Sequence, residues 1–493
     1  MRPAAVGTDT ASPVHRDWAG VLETHIGVVF FAGDLAYKLK KPVDFGFLDF
    51  TRRETRREIC HREVELNRRL APDVYLGVAD VTGPDGEVCD HLIVMRRMPG
   101  ERRLATLVRH GGELTGTITG LARIMTRFHA GADRSTKISA AGTRDALRGR
   151  WRDSFAQVRE FAGTLLDPAA TAETERLAEE FLAGREALFE HRIAAGHIVD
   201  GHGDLLADDI FCLDDGPRIL DCLEFDDRLR WVDGLDDVAF LAMDLERLGA
   251  EALGEHLLDR YLEFAGDPAP PALRHHYLAY RAFVRTKVAC LRSAQGDTES
   301  AALARHYAGI TLRHLRLARV RLVLVGGLPG SGKSTLAGAI ADRLGATLLS
   351  SDRIRKEQAG MSPEQDAGAG YEQGIYDAAH TARTYAELNR RAAALLALGE
   401  TVVLDASWRA PEYRNAAVGL GTAANSQVVP LLCWAPETIT STRLAARGPS
   451  VSDATPALAH RMAATVPDWA DAHTVFTAGT EEESLTQALA YLE

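Results

Sequence analysis

Six cysteines in 493 residues, with no C-x-x-C pair and no Cys/His spacing of the metal-binding kind, exclude a disulfide-stapled secreted scaffold and a zinc module. Cys60, Cys89, Cys212, Cys222, Cys290 and Cys433 are expected as small core side chains in a reducing cytoplasm. No uncharged apolar run approaches the roughly 20 residues needed to cross a bilayer, and the opening MRPAAVGTDTASPVHRDW lacks the apolar core of a signal peptide. These absences predict a soluble, cytoplasmic protein with no membrane partner. A basic arm is missing too. The net charge is −12, the acidic excess runs along the whole chain, and no Lys/Arg stripe interleaved with aromatics appears, which argues against nucleic acid as a partner. What is present, 46% hydrophobic and 26% charged residues, is enough apolar surface for two or three separately cored units.

Two textures meet near residue 320. Before it, strand-like pieces give way to a long helical region. After it, short apolar runs alternate with Ala-rich helical patterns, as in an α/β fold with a parallel sheet and helices on both faces. Strands are expected at Arg321–Gly326, Thr347–Ser350, Thr401–Ala406, Val428–Cys433 and Thr474–Ala478. Ser300 reads as an N-cap, and Leu303, Tyr307, Ile310 and Leu317 then recur at helical spacing up to the first of these strands. No Gly/Ser linker or internal repeat occurs at the join, so two packed domains are expected, 1–317 and 318–493. The acidic run Glu481–Glu483 reads as a solvated helix start.

In the second region RLVLVGGLPGSGKST holds Gly327-x-x-x-x-Gly332-Lys333-Ser334 between an apolar strand and a helical pattern (Leu336, Ile340, Leu344), the strand–loop–helix context of a phosphate-binding P-loop. Gly327, Gly330, Ser331, Gly332 and Thr335 belong to the backbone cradle that closes on phosphates. Lys333 neutralises them, and the Ser334 hydroxyl suits Mg²⁺. The second strand runs into Ser351-Asp352-Arg353-Ile354-Arg355, which places a carboxylate and two guanidiniums at the edge where such sheets bind ligands. The bland reading of Asp352 is an N-cap. TVVLDAS places Asp405 where it could orient Mg²⁺ or meet an acceptor, and Arg443 and Arg447 lie four apart on one helix face. The segment resembles the small-molecule P-loop kinases and zeta-toxin-like proteins of the AAA_33 group. That resemblance implies that Asp352 activates an acceptor hydroxyl, that Arg355 holds the acceptor's anionic part, and that Arg443 and Arg447 sit on a lid over the transferring phosphoryl group.

In the first region, His202-Gly203-Asp204 and Ile219-Leu220-Asp221 put two carboxylates at the ends of short apolar segments joined by an Asp214-Asp215-Gly216 turn. Phosphoryl transfer needs such a pair: Asp204 for the acceptor hydroxyl, Asp221 for a cation bridging ATP phosphates. Upstream, Val28–Lys40 reads as two strands about Gly33-Asp34, with Ala36-Tyr37-Lys38 shaped like a nucleotide-binding strand. Lys38 and Lys40 share a face, so the choice between them stays open. Thr51-x-x-Glu54 reads as a capping box opening a helix whose inward stripe, Ile59, Glu63, Leu66 and Leu70, carries a carboxylate in need of a buried cation. Lys38 is the candidate partner of Glu63. Residues 91–98 read as the strand and hinge against the adenine.

On these residues, 20–315 resembles an aminoglycoside-phosphotransferase-type or choline-kinase-like domain. The whole chain resembles the bacterial bifunctional aminoglycoside phosphotransferase/ATP-binding proteins, through YKLKKPVDFGFLDF, LNRRLAPDVYLGV and LDCLEFDDRLRW. The fold implied is an α+β bilobal protein-kinase-like domain followed by an α/β P-loop kinase domain. Two positions depart from the family pattern: Asp209 stands where an Asn metal ligand is usual, and Leu206 where a His is frequent. Asp209 can still bind Mg²⁺, with a preference shifted toward Mn²⁺. Asp237-Val238-Ala239 resembles the element that braces the catalytic loop, and Arg281, Arg285 and Lys287 share a helix where a polar acceptor pocket would lie. The expectation is an ATP-dependent phosphotransferase with two kinase domains acting on small hydroxyl-bearing molecules. Two alternatives remain: catalysis by the P-loop domain only, beside a nucleotide-sensing pseudokinase, or a toxin-like or nucleic-acid 5′-hydroxyl kinase.

Overall fold

The computed structural model describes residues 19–23, 27–44, 49–362, 365, 373–446, 460–461 and 468–492. The chain divides into two compact units, one of residues 1–130 and 202–230, the other of residues 131–201 and 231–493.

The first unit holds strands β1 (Ala19–Glu23), β2 (Gly27–Ala32), β3 (Leu35–Lys40), β4 (Tyr75–Thr82) and β5 (Val88–Arg96) in one antiparallel sheet ordered β1-β2-β3-β5-β4. The turn at Gly33 joins β2 to β3 as the sequence predicts. The helix Arg53–Asn67 packs Cys60 and Val64 onto Ile93 and Tyr75 of the sheet. Its start differs from the expected capping box. The Thr51 hydroxyl and N–H both donate to Asp49, the N-cap is Arg52, and no side chain caps the helix. The same unit contains the hairpin β7 (Ile210–Leu213) and β8 (Gly216–Ile219).

The second unit contains the two-stranded pair β6 (Ile198–Asp200) and β9 (Trp231–Asp233), long helices, and a parallel sheet. The helix Gly234–Arg247 is buried along almost its whole length, and Asp237, fully buried, stands 2.6 Å from where a Cβ on Gly201 would lie. Arg281 is buried, as is its partner Asp236. Its guanidinium is buried on the Asp236 carboxylate at 2.7 and 2.9 Å.

The helix Thr298–Leu317 runs to within four residues of the sheet, but its N-cap is Asp297 rather than Ser300. Asp297 accepts from the N–H groups of Glu299 and Ser300 and takes the Ser300 hydroxyl at 2.7 Å, so Ser300 lies inside the first turn and is not the cap. Tyr307 and Ile310 are buried as the spacing predicts, whereas Leu317 is 50% exposed.

Five parallel strands then follow, β10 (Arg321–Gly326), β11 (Thr347–Ser350), β12 (Val402–Asp405), β13 (Gln427–Trp434) and β14 (His473–Phe476), ordered β11-β12-β10-β13-β14. All five expected strands appear, the first two with the expected bounds and the other three with ends moved by one or two residues. β10 is buried at five successive positions because a parallel sheet is covered on both faces. Val323, Val325, Leu336, Ile340, Val403 and Leu431 form its core, each burial contributing about 1.5–3 kcal/mol. The last helix, Glu481–Leu489, begins with the acidic run and a capping box between Thr480 and Glu483. Five cysteines are buried as expected, and Cys89 is exposed. Among the described residues no helix is long and apolar enough to cross a membrane.

The long helices and the parallel sheet are tied by Arg185, which is fully buried. Its guanidinium donates to Ala424 O at 2.7 Å, Gly184 O at 2.8 Å and the Ser426 hydroxyl at 3.0 Å, and burial lowers its pKa to about 10 against the pull of the Glu180 charge. Arg185→Ala strands these buried acceptors, so a loss of about 3 kcal/mol is expected. Thermal or denaturant unfolding of the full chain checks this; a loss under about 1 kcal/mol would mean that water replaces the guanidinium at little cost.

Candidate functional site

In a strand, alternate side chains share a face, so Lys38 and Lys40 of β3 point to the same side. Opposite them, the helix Arg53–Asn67 presents Glu63, whose side chain is 0% exposed. Lys38 Nζ lies 2.8 Å from Glu63 Oε1 and 2.6 Å from Asp221 Oδ1. Lys38 thus joins the helix carboxylate to the aspartate 183 residues away.

The hairpin explains how two aspartates twelve residues apart come together. β7 and β8 pair Ile210 with Ile219, and just outside that pair the Leu220 N–H donates to Asp209 O at 3.0 Å. Asp209 and Asp221 therefore flank the open end of the hairpin. The preceding His202-Gly203-Asp204 loop is anchored through the fully buried His202, whose Nε2 meets Leu220 O at 3.0 Å. Gly203 has φ +88°, and a Cβ there would meet Leu229 O at 3.1 Å. Asp221 is itself left-handed, φ +63°, an uncommon backbone for a residue other than glycine and of the kind that concentrates at functional sites.

The electrostatics match this crowding. Burial, then the charges of Asp221 and Asp204, push the Asp209 carboxyl well above the usual range. Desolvation would raise Asp221 as well, but Lys38, with Lys40 behind it, holds that carboxyl below the ordinary value. Surplus negative charge beside a single lysine fits a divalent cation. Among the described residues no three His, Cys, Asp or Glu side chains form a group that could hold a metal ion.

A carboxyl raised by folding gives stability that is complete below its unfolded pKa of about 4 and lost as pH rises through the raised value. Asp209→Asn is therefore expected to raise the melting temperature of the chelator-treated chain at neutral pH by roughly 2 °C, with no effect below about pH 4. Melting curves across pH check this; a shift independent of pH would take Asp209 out of the field of Asp204 and Asp221.

In the parallel sheet, the helix Lys333–Leu344 begins at Lys333 directly after the glycine loop, so its unpaired N–H groups open on the loop. A cavity of about 310 Å³ lies there, lined by Gly330, Gly332, Lys333, Ser334, Arg443 and Thr477 among others. Gly330 has φ +78°, and a Cβ would stand 2.7 Å from Thr440 O. Ser331 is 2% exposed, inside the loop, while Ser334 and Thr335 are exposed. Arg443, on the helix Glu437–Ala445, donates to Thr477 O at 2.8 Å, and Thr477 N–H donates to Trp434 O. Arg447 lies outside the described residues.

At the same sheet edge Asp405 is buried and in register with Val325 on one side and Ser350 on the other. Asp352 follows two residues after Ser350, in the first turn of the helix Ser351–Gln358, whose N-cap is Ser350. Asp352 is thus not the cap. Arg355 is buried, donates to Ile375 O at 2.9 Å and the Thr381 hydroxyl at 3.1 Å, and covers the Tyr376 ring.

The structure thus collects Lys38, Glu63, Asp209 and Asp221 in one place, and Lys333, Ser334 and Arg443 in another. Sequence reasoning named Lys40 only as an alternative to Lys38 and missed Glu224, Asn67 and Thr477. The alternation of β3 places Lys40 beside Lys38, whereas Thr477 carries no local signal.

Residues 322–467 match the AAA_33 family, an AAA domain. Along almost its entire length the chain is 42% identical to the uncharacterized protein Rv2004c of Mycobacterium tuberculosis, over 487 residues covering 99% of this chain and 98% of that protein. The chain belongs to the Rv2004c family. A second member, the uncharacterized protein Mb2027c of Mycobacterium bovis, matches with the same identity and coverage. Among solved structures, this family member is similar to a choline/ethanolamine kinase family protein from Mesorhizobium loti, 17% identical, TM-score 0.39, covering 62% of this chain and 94% of that one. It is also similar to a sugar kinase from Janibacter, 20% identical, TM-score 0.29, covering 35% and 94%. The fold class is α+β with an antiparallel sheet in the first unit, followed by an α/β P-loop domain with a parallel sheet, as the sequence predicts.

Proposed function

We propose that the chain is an ATP-dependent phosphotransferase with two nucleotide sites, an aminoglycoside-phosphotransferase-type domain over 1–317 and a P-loop kinase domain over 318–493, each phosphorylating hydroxyl groups of small molecules. The observation that carries the reading is Lys38 Nζ held between Glu63 and Asp221, since a lysine fixed by a helix carboxylate beside a cation-binding aspartate is what positions ATP phosphates. The P-loop cavity and the AAA_33 match support the second site.

In the first site Asp204 takes the acceptor's hydroxyl proton as its oxygen bonds to the γ-phosphorus and the bond to ADP breaks. Lys38 neutralises the phosphates, and Asp209 and Asp221 would hold Mg²⁺ or Mn²⁺. In the second, Lys333 and the loop N–H groups bind the phosphates, Asp352 takes the hydroxyl proton, Arg355 faces the acceptor's anionic part, Arg443 and Arg447 close over the phosphoryl group, and Ser334 with Asp405 would hold the cation. Bound Mg²⁺ spreads the charge that develops on the phosphates. A second reading, catalysis at the P-loop only beside a nucleotide sensor, is favoured by the raised Asp209 carboxyl, which replaces a neutral ligand with one that repels its neighbours.

A phosphotransfer screen of sugars, aminoglycosides, nucleosides and short oligonucleotides, run on the parent chain, Asp204→Asn and Lys333→Ala, tests the assignment. Small acceptors should be labelled, with each variant removing its own subset. Labelling that only Lys333→Ala removes supports the second reading, and labelling of oligonucleotides alone overturns the small-molecule reading.

A further inference from the structure

Beneath the Lys38 contacts lies a second ion-pair set. Lys40 is 0% exposed, with Nζ 2.5 Å from Glu63 Oε2 and hydrogen-bonded to Glu224 Oε1; the Glu224 side chain is 6% exposed. Glu63 thus gives one oxygen to each lysine, and the charges alternate Asp221, Lys38, Glu63, Lys40, Glu224 from the half-exposed end inward. Both ends of this chain of charges belong to one loop, because Glu224 follows Asp221 by three residues.

That loop is held elsewhere too. The Asp221 N–H donates to the Tyr75 hydroxyl at 3.2 Å, the Cys222 N–H to Asn67 Oδ1 at 2.9 Å, and Asn67 Nδ2 in turn to Glu63 O at 2.9 Å. The left-handed Asp221 therefore sits where strand, helix and loop meet. We infer that Lys40 and Glu224 are positioning residues for this site: they lock the Glu63 carboxylate and the Asp221 loop to β3, fixing where Lys38 and Asp221 receive a nucleotide–cation complex. The inference rests on the nucleotide-site reading of Lys38, Glu63 and Asp221.

Stability is a weak reason for such a pair, since apolar residues of similar volume often replace buried ion pairs without loss. Geometry is a stronger one. Without Lys40, only Lys38 would hold Glu63, and the inner end of the Asp221 loop would lose its tie to the strand. Burial works against the charge on Lys40, yet Glu224 and Glu63 outweigh it and keep the ammonium protonated.

The test separates positioning from simple relief of buried charge. In the full chain carrying Lys333→Ala, ATP binding in Mg²⁺ is measured by calorimetry, and melting temperature in parallel, for Lys40→Met, Glu224→Gln and the double variant. Lys40→Met should lose both stability and affinity. The double variant leaves Glu63 one lysine and strands no carboxylate at 224, so its melting temperature should recover while affinity stays roughly tenfold or more below the parent, the scale seen when residues that orient a metal site are removed. Glu224→Gln should be folded and weakened as well. Affinity restored together with stability in the double variant, or unchanged in Glu224→Gln, overturns the inference. Absence of ATP binding in the Lys333→Ala chain overturns the nucleotide-site reading, and the inference with it.

Discussion

Lys333→Ala is expected to reduce nucleotide turnover at the P-loop site by roughly 10²–10³-fold, the cost of about 3–4 kcal/mol typical of removing one preorganised electrostatic contact to a developing charge. The fold should survive. Lys333 is only half-buried and begins the helix Lys333–Leu344, where alanine is a good helix former, so no packing or hydrogen bond of the sheet depends on it. ATP turnover by the full chain, with Lys38→Met present to silence the other site, is the measurement. Equal turnover with and without Lys333 would remove the loop from the reaction.

Titration of ATP into the parent chain should give two sites, Lys333→Ala removing one and Lys38→Met the other. Each loss should reach about two orders of magnitude in affinity, since both lysines pair directly with phosphate charge. Breaking a buried ion pair usually costs about 3–5 kcal/mol of stability because a charge is left alone. Here Lys40 remains on Glu63 when Lys38 is replaced, so loss of binding should come without unfolding. A single site abolished by Lys333→Ala alone would make the first 317 residues a scaffold or sensor and would leave Asp209 and Leu206 as signs of lost nucleotide handling.

Signals carried by neighbouring residues were readable without coordinates. The five parallel strands were readable as short apolar runs, of which the central β10 and β12 are buried at nearly every position, and the P-loop because its spacing is fixed by local backbone geometry. A buried cation for Glu63 was also readable from local facts: a strand of period two carrying Lys38 and Lys40 and an inward helix stripe holding one carboxylate. Where a short polar side chain had a choice of nearby partners, the readings failed. Thr51 gives its hydroxyl to Asp49 and Ser300 gives its own to Asp297, contests settled by differences of a few ångströms that composition does not encode.

The sequence by itself determined the two textures and the phosphate-loop spacing, and it singled out Asp204, Asp221, Glu63 and Lys333 as charged candidates for phosphate chemistry. It left Lys38 and Lys40 equivalent, because alternation puts both on one face and says nothing of what faces them. Only the tertiary structure decided that both lysines share Glu63 and that they part toward Asp221 and Glu224. The physical reason is range. Strand, helix and loop periodicities act over a few residues, whereas the contacts that distinguish the two lysines join residues 183 and 184 positions apart, and such contacts exist only once the hairpin and the sheet have closed.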